Sequence, residues 1–138
     1  MNWFKVNGVE YNVTVTALEE NFTILYSDKT GRTIASGAPM TLDPLGTFYG
    51  HKVTIQKKQG YESEFDELYL ILSKPRIVEE EEDALLFEVA HCQTTITYRG
   101  YVSNGARSVK RIDENTSKIY WGELSLNIVP IKAQELPE

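Results

Sequence analysis

Val6-Asn7-Gly8-Val9-Glu10-Tyr11-Asn12-Val13-Thr14-Val15 (residues 6–15) is the stretch on which the fold class turns. Asn-Gly between apolar segments is the strongest short-range hairpin signal, because a type I′ turn needs positive φ at both central residues. In the second arm Val9, Tyr11, Val13 and Val15 alternate with Glu10, Asn12 and Thr14, so one face is buried and the other is wet. The pattern predicts a hairpin of Trp3–Val6 with Val9–Val15, and with it an antiparallel β protein.

The same alternation recurs along the chain. Phe22, Ile24 and Tyr26 predict a third strand, and Val53 and Ile55 a fourth that runs into Lys57-Lys58 and breaks at Gly60. Gln93 to Ser103 is strand-like, with Ile96, Tyr98, Tyr101 and Val102 as inward candidates and Gly100 as a bulge. A last strand runs from about Ile119 to Val129 with Trp121, Leu124, Leu126 and Ile128 facing inward, and Gly122 allows a change of register. One segment has a different period: Tyr61, Phe65, Leu68, Tyr69 and Leu72 form a helical stripe. Glu62 and Glu64 favour its N-terminal dipole and Pro75 ends it, giving a helix over about 62–73. The resulting expectation is a single all-β, mainly antiparallel domain over 1–138, a β-sandwich or barrel of about eight strands. It carries one flanking α-helix, a long loop and a frayed tail at 132–138.

The long loop is Ser27–Gly46, SDKTGRTIASGAPMTLDPLG, twenty residues between clear strands. Loops of that length in a compact domain are uncommon and usually functional or disordered. Ile34, Met40, Leu42 and Leu45 give this one apolar anchors, with Arg32 beside them.

Composition limits the chemistry. The chain has 138 residues and a formal charge of −6, which disfavours nonspecific binding to nucleic acid. No apolar run is long enough to span a bilayer and no signal segment follows Met1, so a soluble, cytoplasmically made protein without a membrane anchor is expected. Cys92 is the single cysteine and reads as a small buried hydrophobe. Its neighbour His91 would point to the opposite face of a strand, and His51 brings no orienting third group, so nucleophilic catalysis is not expected. Neither histidine has a metal-ligand spacing. The acidic run Glu79–Asp83 lacks the turn glycine and spacing of a calcium loop and reads as a solvated turn. The glycines of the long loop follow no phosphate-cradle pattern. The residues thus point to no enzyme, cofactor or metal. Arg107, Lys110 and Arg111, in the polar stretch 104–117, could meet an acidic partner, including another copy of this chain, but read first as a solvated loop.

Several segments together resemble a family of small tail-region proteins of phages and prophages of Gram-positive bacteria. They are the V-N-G-V-E-Y opening at Val6–Tyr11, the G-R…G segment at Gly31–Gly37 and L-G-T-F-Y-G-H-K-V-T-I at Leu45–Ile55. Y-x-x-E-F-D-E-L-Y at Tyr61–Tyr69, T-T-I-T-Y-R-G-Y-V-S at Thr94–Ser103 and W-G-E-L-S-L-N at Trp121–Asn127 complete the set. All are structural patterns. The resemblance implies a tail tube, distal-tail or hub protein: a β-sandwich with one helix, made in the host cytoplasm and built into the virion tail. It further implies a ring-shaped homo-oligomer, perhaps a hexamer, in contact with other tail proteins, whose long loop packs on the next subunit and becomes ordered there. Arg32, Ile34, Met40, Leu42 and Leu45 are then the expected interface anchors, and an acidic surface suits a conduit that must not retain DNA. The alternative is a ligand- or glycan-binding β-module of a tail tip using Tyr49, Tyr98, Tyr101, Tyr120 and Trp121.

Overall fold

The computed structural model describes residues 4–31, 37 and 39–137. Six antiparallel strands form one sheet: β1 (Phe4–Val6), β2 (Val13–Tyr26), β3 (Pro44–Lys57), β4 (Leu85–His91), β5 (Thr94–Asp113) and β6 (Lys118–Pro130). Helix α1 (Glu62–Ser73) connects β3 to β4 through a short 3-10 turn at Glu81–Asp83. The strand order is β1-β4-β5-β6-β3-β2, so the first two strands in sequence lie at opposite edges. A flat sheet of six strands is roughly 24 Å wide. β2 at one edge nonetheless meets β4 beside the other, with Glu20 lying 2.6 Å from His91, so the sheet is strongly curved. The all-β class with one helix is as the alternation indicates, with six strands among the described residues instead of eight.

The opening turn forms but the opening hairpin does not. Asn7 and Gly8 both take positive φ (53° and 78°), and Val6 bridges Val9. Beyond that bridge the arms part, because β1 finds better partners in β4. Asn7 donates its backbone N–H to the Leu86 carbonyl (2.7 Å), its side-chain oxygen accepts from Leu86 N–H (3.1 Å), and Phe4 stacks on Phe87. Asn12 turns instead to the helix, donating its side-chain amide to Glu64 at 2.9 Å. Trp3, expected in the first arm, lies outside the described residues.

The stretches expected as separate strands at 9–15 and 22–26 are largely one strand, β2, with a register shift between Val15 and Ala17. Gly100 sits in regular register opposite Pro130, not at a bulge. What it provides is close approach, since a Cβ there would lie 2.6 Å from the Val129 carbonyl oxygen. Gly122 does lie where the β5–β6 register changes, between the pairs Arg107–Leu124 and Val109–Trp121.

The core fills the concave side of the bent sheet with Val53, Ile55, Phe87, Val89, Leu124, Leu126 and Ile128, and α1 closes it with Phe65, Leu68 and Leu72. Each such side chain contributes about 1.5–3 kcal/mol of burial. Without it, a helix of this length would be marginal in water. The helix ends where Lys74, preceding Pro75, turns extended. The acidic run is exposed, as expected of a solvated turn.

The C-terminal segment is pinned rather than frayed. Gln134 clamps the Tyr49 backbone through both its amide atoms, accepting from N–H and donating to the carbonyl at 3.0 Å each. Thr47 and Glu135 form a further bridge. Only Glu138 of the stretch expected to fray lies outside the described residues. No helix among the described residues is long and apolar enough to cross a membrane.

Leu68→Ala is expected to lower the unfolding free energy by about 2–5 kcal/mol. Leu70→Ala, on the outer face of the same helix at 66 % exposure, should change it by less than about 0.5 kcal/mol. Urea titration of both variants checks this, and equal losses would mean that the stripe is misassigned.

Candidate functional site

The paired lengths of the strands leave two β-ribbons standing clear of the sheet. β3 and β6 pair only over His51–Ile55 with Leu124–Ile128, although each is part of a much longer hairpin. N-terminal to His51, β3 continues with β2 on one side, as far as Tyr26 and Pro44, and on the other meets only the C-terminal segment, at Thr47 and Tyr49. N-terminal to Leu124, β6 continues with β5 alone, as far as Asp113 and Lys118. Because β3 and β6 are antiparallel, the two ribbons leave opposite ends of the sheet. At about 3.4 Å per residue each runs on the order of 20 Å beyond the shared pairing.

The long loop is the tip of the first ribbon. Its last residues belong to β3, which begins at Pro44, so Leu45 is a strand residue and the connection is shorter than the expected Ser27–Gly46. Ladder-like bonds continue into it: Ser27 N–H to Asp43 O, and a reciprocal pair between Gly31 and Thr41. The hydroxyl of Ser27 also bonds the Asp43 carboxylate, and Asp43 N–H donates to the Thr30 hydroxyl (2.8 Å). Of the expected anchors, Leu42 (59 % exposed), Leu45 (55 %) and Met40 stand open to solvent. Arg32 and Ile34 lie outside the described residues.

Strand periodicity carries the apolar row further back. Leu18, Glu20, Phe22 and Ile24 share one face of β2, opposite Val53, His51, Tyr49 and Thr47 of β3. Inside the domain this face is core, with Val53 and His51 buried and Leu18 packed against the cluster. Beyond the sheet the same face continues uncovered, with Phe22 at 67 % exposure and Ile24 and Tyr26 exposed with it.

A buried polar relay marks the point where this ribbon leaves the body. His51 is 1 % exposed. Its Nδ1 lies 2.8 Å from Tyr98 Oη and its Nε2 3.0 Å from a Glu20 carboxylate oxygen. The same oxygen lies 2.6 Å from Nδ1 of His91, whose ring meets Tyr49 edge-on. With the Glu20 carboxylate ionised, His51 is satisfied as a neutral ring, donating from Nε2 and accepting the Tyr98 hydroxyl proton at Nδ1. Burial pushes His51 below its usual pKa in spite of Glu20. Burial pushes the Glu20 carboxyl up, but the hydrogen bonds from His91 and His51 outweigh it and leave it below the usual range. Burial and the nearby Glu20 raise the Tyr98 hydroxyl. The relay ties β2, β3, β4 and β5 across the bend of the sheet. Sequence reasoning left these four residues apart, because they come together only through long-range pairing; the alternation of Glu20 and His51 with apolar residues on core faces was the available signal.

The second ribbon corrects two expectations. Residues 104–117 are mostly strand, with a turn only between Asp113 and Lys118. Arg107 is held between the rings of Tyr69 (3.8 Å) and Trp121 (4.0 Å) and bonded to Asp66 of α1 at 2.8 Å, so it belongs to the frame. Lys110 and Arg111 are exposed, as are Lys118, Ile112 and Ile119. Arg111, Lys118 and Lys57 surround the Tyr120 ring at 4.3–5.1 Å.

Cys92 is exposed, not buried. It occupies the Cys92-Gln93 connection between β4 and β5 with φ at 53°, where the tight turn directs it outward. The five aromatics of the glycan reading are dispersed: Tyr98 is buried, Tyr49 packs on His91, and cations cover Trp121 and Tyr120. Among the described residues no cluster of His, Cys, Asp and Glu could hold a metal ion.

No protein-family model matches the chain, and no curated protein matches it in sequence.

The relay gives stability a pH dependence of definite sign. His51 is depressed, so its contribution is full above its unfolded pKa near 6.5 and is lost as pH falls through the folded value. Glu20 is also depressed, and its contribution is lost at lower pH, below the ordinary carboxylate range. The urea midpoint should therefore fall as pH drops from about 7 to about 4. His51→Asn should remove the upper part of that fall, and an unchanged slope in the variant would exclude His51 as its source.

Proposed function

We propose that this chain is a self-assembling structural subunit of a phage or prophage tail, a tube, distal-tail or baseplate ring protein made in the host cytoplasm and built into the virion. Its contribution is geometric rather than catalytic, and its partners are further copies of itself, in a ring such as a hexamer, and neighbouring tail proteins. The observation that carries the reading is the continuation of a core face into solvent: Leu18 and Val53 inside the domain are followed by Phe22, Ile24 and Tyr26 on a projecting ribbon, whose end also exposes Leu42 and Leu45. Contiguous apolar surface of this kind marks an interaction site.

The sequence resemblance supplies the setting, and the fold is compatible with it: one bent sheet, one flanking helix and one long projecting connection. In this reading Met40, Leu42 and Leu45, with Arg32 and Ile34, dock on the adjacent subunit. The negative charge of the chain favours solubility before assembly and suits a conduit through which DNA must pass without sticking.

Replacing residues 28–42 with Asn-Gly, a two-residue hairpin turn set on the existing Ser27–Asp43 pair, should leave the far-ultraviolet circular dichroism and urea midpoint close to wild type. The wild-type chain should sediment as a concentration-dependent oligomer and the shortened one as a monomer. A shortened chain that assembles like wild type would remove the tip from the interface.

A further inference from the structure

β2 is an edge strand of the sheet, and its neighbour shows which of its backbone groups stand free. Tyr49 gives both its N–H and its carbonyl to the Gln134 side chain, and Thr47 gives both of its own to the backbone of Gln134 and Glu135. Those groups point away from β2. Phe22–Tyr49 and Ile24–Thr47 are therefore the pairs of the β2–β3 ladder that exchange no hydrogen bonds. Phe22 and Ile24 accordingly direct their own N–H and carbonyl groups outward, past the edge of the sheet. Ser27, an odd number of residues from both, agrees with this alternation by donating inward to the Asp43 carbonyl at 2.9 Å.

The segment that carries these outward groups, residues 21–26, reads N-F-T-I-L-Y, with no charge, glycine or proline, and all six residues are exposed. An uncharged, β-forming edge of this length is the pattern that pairs strand to strand. At its base lies a groove of about 490 Å³, between residues 15–18 of β2 and Ala90, Cys92 and Gln93 at the end of β4.

We infer that residues 21–26 pair edge to edge with the same residues of a second copy of this chain, antiparallel about a two-fold axis through Thr23. The inference rests on the self-assembly reading above and names the contact that makes the assembly. The segment is complementary to itself. A two-fold axis normal to the sheet keeps matching faces together, so it passes through a residue and not between two. With Thr23 at the centre, Phe22 of each copy lies opposite Ile24 of the other. All four residues have their free groups outward, so the two pairs make four hydrogen bonds. The same register sets Thr23 against Thr23 and each phenylalanine beside an isoleucine on one face, a favourable aromatic and β-branched pair. No like charges meet: Glu20, already held by His51 and His91, lies opposite Tyr26, and Glu19 lies opposite Ser27. Centring on Ile24 would set Glu20 against Asp28, and centring on Phe22 would set it against Ile24.

A six-residue edge alone falls short of the roughly 800 Å² per partner that stable contacts bury. The pairing also carries the end of each ribbon, with its exposed Met40 and Leu42, to the base of the other, where the groove receives it. The contact therefore needs the tip as well as the edge. Being two-fold, it closes after two copies, and a ring is built from such pairs through a further surface.

Sedimentation and cysteine cross-linking test the contact. Ile24→Pro removes an outward N–H and no bond to β3, and an edge strand accepts proline. Its circular dichroism should match wild type, whereas association should weaken at least about tenfold, since two of the four hydrogen bonds are lost. In a Cys92→Ser background, Thr23→Cys should oxidise to a disulfide-linked dimer, because opposed residues that exchange no hydrogen bonds lie about 4.5 Å apart at Cα. Asn21→Cys and Leu25→Cys should stay mainly monomeric over the same time, since each position opposes the other and not itself. Alkylation of wild-type Cys92, in the groove, should slow as concentration rises into the range of assembly. A wild-type chain that assembles while Thr23→Cys cross-links no faster than Asn21→Cys or Leu25→Cys would overturn the two-fold edge and leave the self-assembly reading standing. A folded Ile24→Pro chain that assembles as wild type does would have the same consequence, and the cysteine series decides alone if that variant does not fold. Cys92 alkylated equally fast in monomer and assembly would remove the groove from the contact. A wild-type chain that remains monomeric up to its solubility limit removes both readings.

Discussion

The short ladder between His51–Ile55 and Leu124–Ile128 is the constraint on which the architecture depends. It joins two hairpins that are each far longer than their overlap. Val53, Ile55, Leu124, Leu126 and Ile128 are buried at this junction, so the register is fixed by which side chains must face the core. A slip of one residue would turn every one of them to solvent. Once the register is set, the excess length of each hairpin has to project, and antiparallel pairing sends the excess to opposite ends. The ribbons are therefore consequences of the core rather than appendages to it.

Two side-chain assemblies stiffen the points at which the ribbons leave. At one, Glu20 is shared by His51 and His91, and Tyr98 completes the donor–acceptor chain. At the other, Arg107 lies between Tyr69 and Trp121 and reaches Asp66, joining the second ribbon to α1. Both bury a charged or polar group against an aromatic ring and give it a partner, which limits the cost of desolvation. The C-terminal segment adds a third brace. Gln134 holds the Tyr49 backbone, and Gly46 lets the segment pass, since a Cβ there would lie 2.6 Å from that of Ala133.

Local pattern made legible what local physics decides. The stripe Phe65, Leu68 and Leu72 with acidic residues before it and Pro75 after it specified α1 to its ends. The alternation of Leu124, Leu126 and Ile128 specified the inner face of β6, and Asn7-Gly8 specified a turn with positive φ. What was illegible depended on partners distant in sequence. Asn-Gly fixes a turn, but the β4 backbone, some eighty residues away, takes the strand that precedes it. Phe22, Ile24 and Tyr26 have a buried strand's spacing and are exposed, because alternation reports a face and not whether anything lies against it. Cys92 reads as buried by residue type, whereas its place in a two-residue turn decides the outcome.

Long exposed ribbons invite uncontrolled pairing, and Phe22, Ile24, Leu42 and Leu45 stand exposed on this one. Glu19 and Glu20 do interrupt the apolar run, but Glu20 is spent on the histidines and turned toward the body. The protection it would give an edge strand is thereby lost to the relay. In the self-assembly reading, the apolar row beyond it is covered by a neighbouring subunit. A ribbon that is satisfied by a neighbour needs no protection of its own, and a strand face that keeps the core's chemistry outside the core is what an assembly contact of this kind requires.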